Sequence, residues 1–124
     1  MNIALWIVQG LLATLFTMAG QLKAFQYGKA LTMLPWVKDT PEALVHVIGT
    51  CELLGAFGLI LPWASGVQRR LTPLAASGLT TIMALAVPFH LRRGEMGPAI
   101  FTGILGLVAA LVAWGRFRDL DRAG

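Results

Sequence analysis

The sequence predicts an all-α polytopic membrane protein with four transmembrane helices in an up-down-up-down bundle. Three observations predict it. With 56% hydrophobic and 13% charged residues and a mean hydropathy of +0.71, the chain is too apolar for an ordinary soluble domain, and it reads as a single transmembrane domain over residues 1–124. Four apolar runs each approach the roughly 20 residues that a rise of about 1.5 Å per residue needs to cross about 30 Å of hydrocarbon. The last three runs are joined by short turns, as antiparallel neighbours require.

The first span, about 3–22, could pass for a signal peptide. It lacks a basic leading region, and Gln21, Lys23 and Phe25 follow where a small-residue cleavage site would be, so it is expected to be a retained helix. The second, third and fourth spans cover about 43–62, 71–91 and 98–114. Between the first two lies a longer segment, 23–42, with three lysines and Pro35, Trp36 and Pro41, long enough for a short interfacial helix or a lid. At its end Asp39-Thr40-Pro41-Glu42 reads as a helix start, with Asp39 or Thr40 as the N-cap. Pro98 opens the fourth span in the same way.

Charge excludes some function classes. The net charge of +4 comes from short clusters between apolar runs rather than from one basic face, so membrane lipid headgroups are the expected partner and nucleic acid is not. Cys51 is the single cysteine, which rules out an intrachain disulfide and CxxC redox or zinc motifs, and no metal site is expected. Lys and Arg divide five against five between the two sides. If Lys23 lies inside the bundle, the count tips towards cytoplasmic termini. Trp6, Trp63 and Trp114 then share one interface and Trp36 the other.

Glu52, at the midpoint of an otherwise uncharged run, is the residue that asks for a functional explanation. A charged group at the centre of a membrane helix costs from about 2.5 to above 10 kcal/mol, so such an acid faces a partner, a cavity or a ligand. Packing seams are expected along Gly10, Thr14, Thr17 and Gln21 in the first helix and Gly49, Glu52 and Ala56 in the second. The third would use Ser77, Thr81, Ala84 and Pro88, and the fourth Gly103, Gly106, Ala110 and Ala113. Thr14, Thr17, Gln21, Glu52 and Thr81 form the candidate ligand-binding set.

Lys23 is the natural partner for Glu52, yet Glu52 lies some nine residues, roughly 14 Å, into the second span. A direct ion pair, a water-bridged contact and a protonated Glu52 bonded to Thr14, Thr17 or Gln21 all fit that spacing. Pro88 removes a backbone bond one turn before His90, which is expected at the interface as a helix cap or as an assistant to Glu52. His46, about 120° around the helix from Glu52, and Cys51, about 100° from it, read as structural.

Gly20 to Lys23, then Gly49 with Glu52-Leu53-Leu54-Gly55 and Leu59-Ile60-Leu61-Pro62, then Ala86 to His90 with Arg92-Arg93-Gly94, together resemble the DoxX-like membrane proteins. The resemblance covers nearly the whole chain and implies a bacterial inner-membrane protein whose intramembrane acid is Glu52 and whose helix-end lysine is Lys23. It also implies an association with quinone-linked or redox-stress chemistry. No haem, flavin or iron-sulfur motif is present, so a redox role means binding a quinone or supporting a redox partner protein that carries the cofactor. Two readings follow. In one, a small hydrophobic molecule, quinone or lipid-like, binds within the bundle, with Glu52 as acid, base or hydrogen-bond donor and Lys23 and His90 assisting. In the other the chain is a non-catalytic subunit or chaperone, alone or as a homo-oligomer, whose first loop around Trp36 and Lys38 contacts a partner. Transport ranks third, because four helices without an inverted repeat leave little room for alternating access.

Overall fold

The computed structural model describes residues 2–123 and contains, in order, α1 (Asn2–Phe25), α2 (Tyr27–Met33), a 3-10 turn (Val37–Asp39), α3 (Glu42–Ser65), α4 (Leu71–Arg92) and α5 (Met96–Ala123). Met1 and Gly124, the ends of the expected domain, lie outside the described residues. Four of these helices are long and apolar enough to cross a membrane. They form the predicted bundle, in which α1 packs on α3, α3 on α4 and α4 on α5. The interface that closes the ring, between α1 and α5, is the slightest of the four.

The helices outrun the predicted spans at their ends, because a span is read from apolar residues and a helix continues as long as its backbone bonds are satisfied. The largest extension is in α5, which runs on past Trp114 through Arg116, Arg118 and Asp119, with Arg116 and Asp119 paired one turn apart. Two tight turns reverse the chain. Gly66 ends α3 in the left-handed region at φ 77°, its N–H returning to the Pro62 carbonyl, and Gly94 at φ 74° does the equivalent work between α4 and α5.

The expected cap of α3 is corrected. Pro41 occupies the N-cap position and no side chain caps the helix. Thr40 donates instead to the Trp36 carbonyl, and Asp39 accepts from Arg93 across the bundle. Pro98 does sit in the first turn of α5, where its missing N–H breaks no bond.

Two of the expected seams are also corrected. On α1, Thr14 and Thr17 are exposed, and the buried stripe is Gln9, Leu12, Phe16, Gly20 and Lys23. On α4, Thr81, Ala84 and Pro88 face outwards while Thr72, Ala76, Leu79, Met83 and His90 are buried. Thr14 and Thr81 bond the carbonyls four residues back, at 2.9 and 3.0 Å, so their hydroxyls need no neighbouring helix. On α3 the seam is Gly49, Glu52 and Ala56, all buried, as expected, and Gly106 and Ala113 are buried on α5.

The packed core, with Leu12, Phe16, Leu59, Leu79, Ala109 and Val112, fills the half of the bundle nearer the termini. There the indole rings of Trp6 and Trp63 lie against the Arg116 guanidinium. Lys23 is buried at the opposite end, but so is Arg116, so the asymmetry that one burial creates the other cancels. The Lys and Arg count therefore favours neither side for the termini.

Candidate functional site: a cavity around Lys23 and Glu52

The site begins with two glycines. A Cβ on Gly49 would stand 2.6 Å from the Ala24 nitrogen and 2.7 Å from the Gly20 carbonyl oxygen, and one on Gly20 would stand 2.8 Å from the Gly49 carbonyl oxygen. Backbone meets backbone here, which only glycine permits. The contact sets the register of α1 on α3 and brings Ala24 level with Gly49, within a turn of Glu52. Because α1 continues to Phe25 and α2 then folds over its end, Lys23 is well inside the bundle rather than at its surface.

Of the three arrangements the sequence left open, the structure has the direct one. Lys23 Nζ donates to Glu52 Oε1 at 2.7 Å, and both side chains are buried. The end of α1 is secured by His46, whose Nδ1 lies 3.1 Å from the Ala24 carbonyl oxygen. His46 thus has the structural role read for it, with Glu42 at 3.2 Å on its other nitrogen.

Above the packed core the four helices flank a cavity of about 1000 Å³ that is partly open at its sides. Its walls are apolar stripes at helical spacing: Leu15, Met18 and Leu22 from α1, Leu44 and Ile48 from α3, Ile82, Leu85 and Phe89 from α4, and Phe101 and Leu105 from α5. Its polar groups are few. They include Lys23, Glu52 and Gln21 on one side, and His90, Glu95 and Thr102 on the other. Trp36 lies between the two sets, with Lys23 Nζ 5.7 Å from its ring centre and the His90 ring centre 6.4 Å away in an edge-on arrangement.

The segment 23–42 roofs this cavity. Arg93 fixes it by donating to Asp39 Oδ2 at 2.8 Å and to the Pro35 carbonyl at 3.3 Å, and Trp36 packs edge-on against Phe89. Beneath it His90, buried rather than at the surface, places Nδ1 2.8 Å from Glu95 Oε1. That hydrogen bond, helped by Arg93, holds the Glu95 carboxyl below its ordinary value against the opposing effect of desolvation. The hydrogen bond to Asp39 raises the Arg93 guanidinium in turn.

The candidate residues thus separate. Lys23, Glu52, His90 and Gln21 all line one cavity. Thr14 and Thr17 line a shallow outer groove between α1 and α3, and Thr81 is exposed, so these three do not line the cavity around Glu52. Cys51 also points outwards. Among the described residues no three His, Cys, Asp or Glu side chains converge on a point that could hold a metal ion.

Sequence reasoning missed two things. Glu95 has no part in the sequence reading, although its place five residues after His90 lets the chain reversal bring the two together. The second omission is a buried network at the other end. Arg116 Nε donates to Gln9 Oε1 at 2.6 Å, Gln9 Nε2 donates to the Leu59 carbonyl at 2.6 Å, and Arg116 Nη1 donates to Asp119 Oδ2 at 3.1 Å. The guanidinium also lies 4.4 Å from the Trp63 ring centre and 5.3 Å from that of Trp6. Arg116 follows the last apolar run and enters the sequence reading only through the five-against-five count of cations; the signal that could have placed it is Gln9, a polar residue within the first span.

Fold and cavity together define a helical integral membrane protein with a buried polar centre beneath an interfacial roof. The DoxX-like family model matches residues 7–113, and the chain belongs to that family. No curated protein and no solved structure matches the chain.

Proposed function

We propose that the protein binds a small hydrophobic molecule, quinone or lipid-like, in the cavity around Glu52, in the bacterial inner membrane that the family implies. The observation that carries this reading is the cavity itself: about 1000 Å³ of largely apolar space converging on a buried Lys23–Glu52 pair. Small-molecule sites have this form, an apolar volume of about 300–1,000 Å³ with a few placed polar groups. A purely structural ion pair has no need of such space beside it. Glu52 is suited to exchange a proton with a bound headgroup, with Lys23 and His90 as neighbours within the same cavity.

The competing reading, a non-catalytic subunit that docks a redox partner protein, makes Trp36 and Lys38 contact residues. Trp36 is turned inwards against Phe89 and His90, which suits a roof better than a docking surface. Native mass spectrometry of the purified protein, with quinone and lipid identification, tests the choice. A defined small molecule retained by the wild type and lost from Glu52→Gln supports the site. Retention of nothing, with a partner protein lost on Trp36→Ala, supports the scaffold.

A further inference from the structure

Resting on that reading, the shape and charge of the cavity narrow what it can hold. We propose that it takes a neutral, single-chain amphiphile directly from the bilayer, with a hydroxyl or carbonyl head at Lys23 and Glu52 and a chain that leaves sideways between α1 and α5.

The head chemistry follows from the polar groups. Lys23 is shown donating once, to Glu52, and an ammonium has three donors, while Glu52 engages Lys23 through Oε1 alone. A hydroxyl can accept from the one and donate to the other, and a carbonyl can accept from Lys23. A charged head fits poorly. The cation at Lys23 is already matched by Glu52, and Glu95 is paired with Arg93 and hydrogen-bonded to His90. An added buried charge would lack a counter-charge, which is the costly case. Lys29, the other cation on the cavity wall, is exposed, so water weakens what it could offer an anion.

The path follows from where the walls are open. The roof is tied down on the headgroup side by Arg93 to Asp39 and Pro35. Towards the termini the core closes the cavity, and Arg116 with Gln9 holds α1 to α5. Between those limits the cavity wall is exposed on two sides: Leu15 and Phe101 are 41 and 54% exposed on α1 and α5, and Leu44 and Leu85 are 48 and 68% exposed on α3 and α4. Of these two helix pairs, α1 and α5 share the slighter interface and are the pair that parts more easily. Packed helices have axes about 8–10 Å apart, so a pair pinned at one end can part at the other by the width of one chain. A bilayer-dissolved chain then remains in hydrocarbon while its head reaches the ion pair.

The test uses monooleoylglycerol, which is neutral, and oleate, which has the same chain and a charged head. Binding of each to the full-length protein in lipid nanodiscs is measured by native mass spectrometry at neutral pH. Three variants accompany the wild type: Leu15→Trp/Phe101→Trp at the α1–α5 slot, Leu44→Trp/Leu85→Trp at the α3–α4 side, and Leu74→Trp, an exposed position away from the cavity. Circular dichroism reports folding, which these exposed positions should leave intact. The expected result is that the wild type holds monooleoylglycerol at least tenfold more tightly than oleate, that the slot variant loses at least tenfold, and that Leu74→Trp binds normally. Oleate binding as tightly as its glycerol ester would overturn the neutral head while leaving the cavity site standing. Loss in the α3–α4 variant with an unaffected slot variant would overturn the path. If neither probe binds the wild type, the ligand-site reading and this inference fall together.

Discussion

Replacing Gly49 by alanine tests the step on which the site depends, the backbone contact between α1 and α3. The new methyl would meet the Ala24 nitrogen at 2.6 Å and the Gly20 oxygen and Lys23 Cβ at 2.7 Å each. Ordinary contacts begin near 3.4 Å, so the helices must part by several tenths of an ångström or more. None of the three contacts is the free end of a flexible side chain, and overpacking of that kind costs about 1–3 kcal/mol. Alanine also returns about 0.5–1 kcal/mol of helix propensity. Gly78, with nothing within 4 Å of its Cβ position, isolates that second effect. Gly78→Ala should therefore be slightly more stable than wild type and Gly49→Ala less stable, a gap of about 2 kcal/mol between them. Reversible unfolding in mixed micelles measures both. The parting of α1 and α3 should also lengthen the 2.7 Å contact between Lys23 and Glu52 and weaken ligand retention. Equal stability of the two alanine variants, with binding intact, would refute the argument that this contact sets the site.

Three further outcomes are expected. Lys23→Met and Glu52→Gln should each destabilise the protein, because removing one partner of a buried pair leaves a group unmatched at a cost of about 3–5 kcal/mol, and the double variant should be more stable than the sum predicts; additivity in the same unfolding assay would show that the pair is not coupled. Arg116→Lys should cost about 1–3 kcal/mol, because an ammonium lacks the Nε donor to Gln9 and the planar face set against Trp63, and a thermal melt unchanged from wild type would remove Arg116 as the pin between α1 and α5. Acid should loosen the turn between α4 and α5: a carboxyl whose folded value is depressed contributes stability that is present above its ordinary value of about 4.5 and lost as pH falls through the folded value, so hydrogen exchange at His90 to Glu95 should quicken below that pH in wild type and show no such step in Glu95→Gln.

The bundle was legible because hydropathy reports lipid contact directly, and four runs of that length have few other uses. Glu52 was legible for the same reason, as a charge where none is expected. Its pairing with Lys23 was harder to read, because depth was counted from the end of an apolar run, and α1 passes that point by a turn and is then covered by α2. The threonine seams failed on a different ground. A hydroxyl that bonds its own helix carbonyl is no longer a polar group in search of a neighbour, so Thr14 and Thr81 carried no information about which face is inside. Large side chains such as Leu12 and Phe16 took that face on α1. Arg116 and Glu95 depend on contacts between distant segments or on the path of a turn, which single-run periodicity does not contain.

The two buried polar networks divide the bundle into unlike halves. In a lipid environment apolar burial does not by itself hold helices together, so closure has to come from packing and from polar contacts between them. At the terminal end both operate: Arg116 joins α1, α3 and α5 through Gln9, Trp6 and Trp63, over the packed core. At the other end the glycine contact fixes α1 to α3, and the turn around Gly94 joins α4 to α5, so each pair is held while the space between the pairs is left to the cavity. The roof closes that space towards the headgroups through Arg93 and Trp36, but among the described residues no polar contact of the same kind ties α1 to α5 beside Leu15 and Phe101. A bundle built only to be stable would gain by filling this half with larger side chains. The apolar stripes that line it, and the ion pair placed at their convergence, are what the proposed ligand site requires.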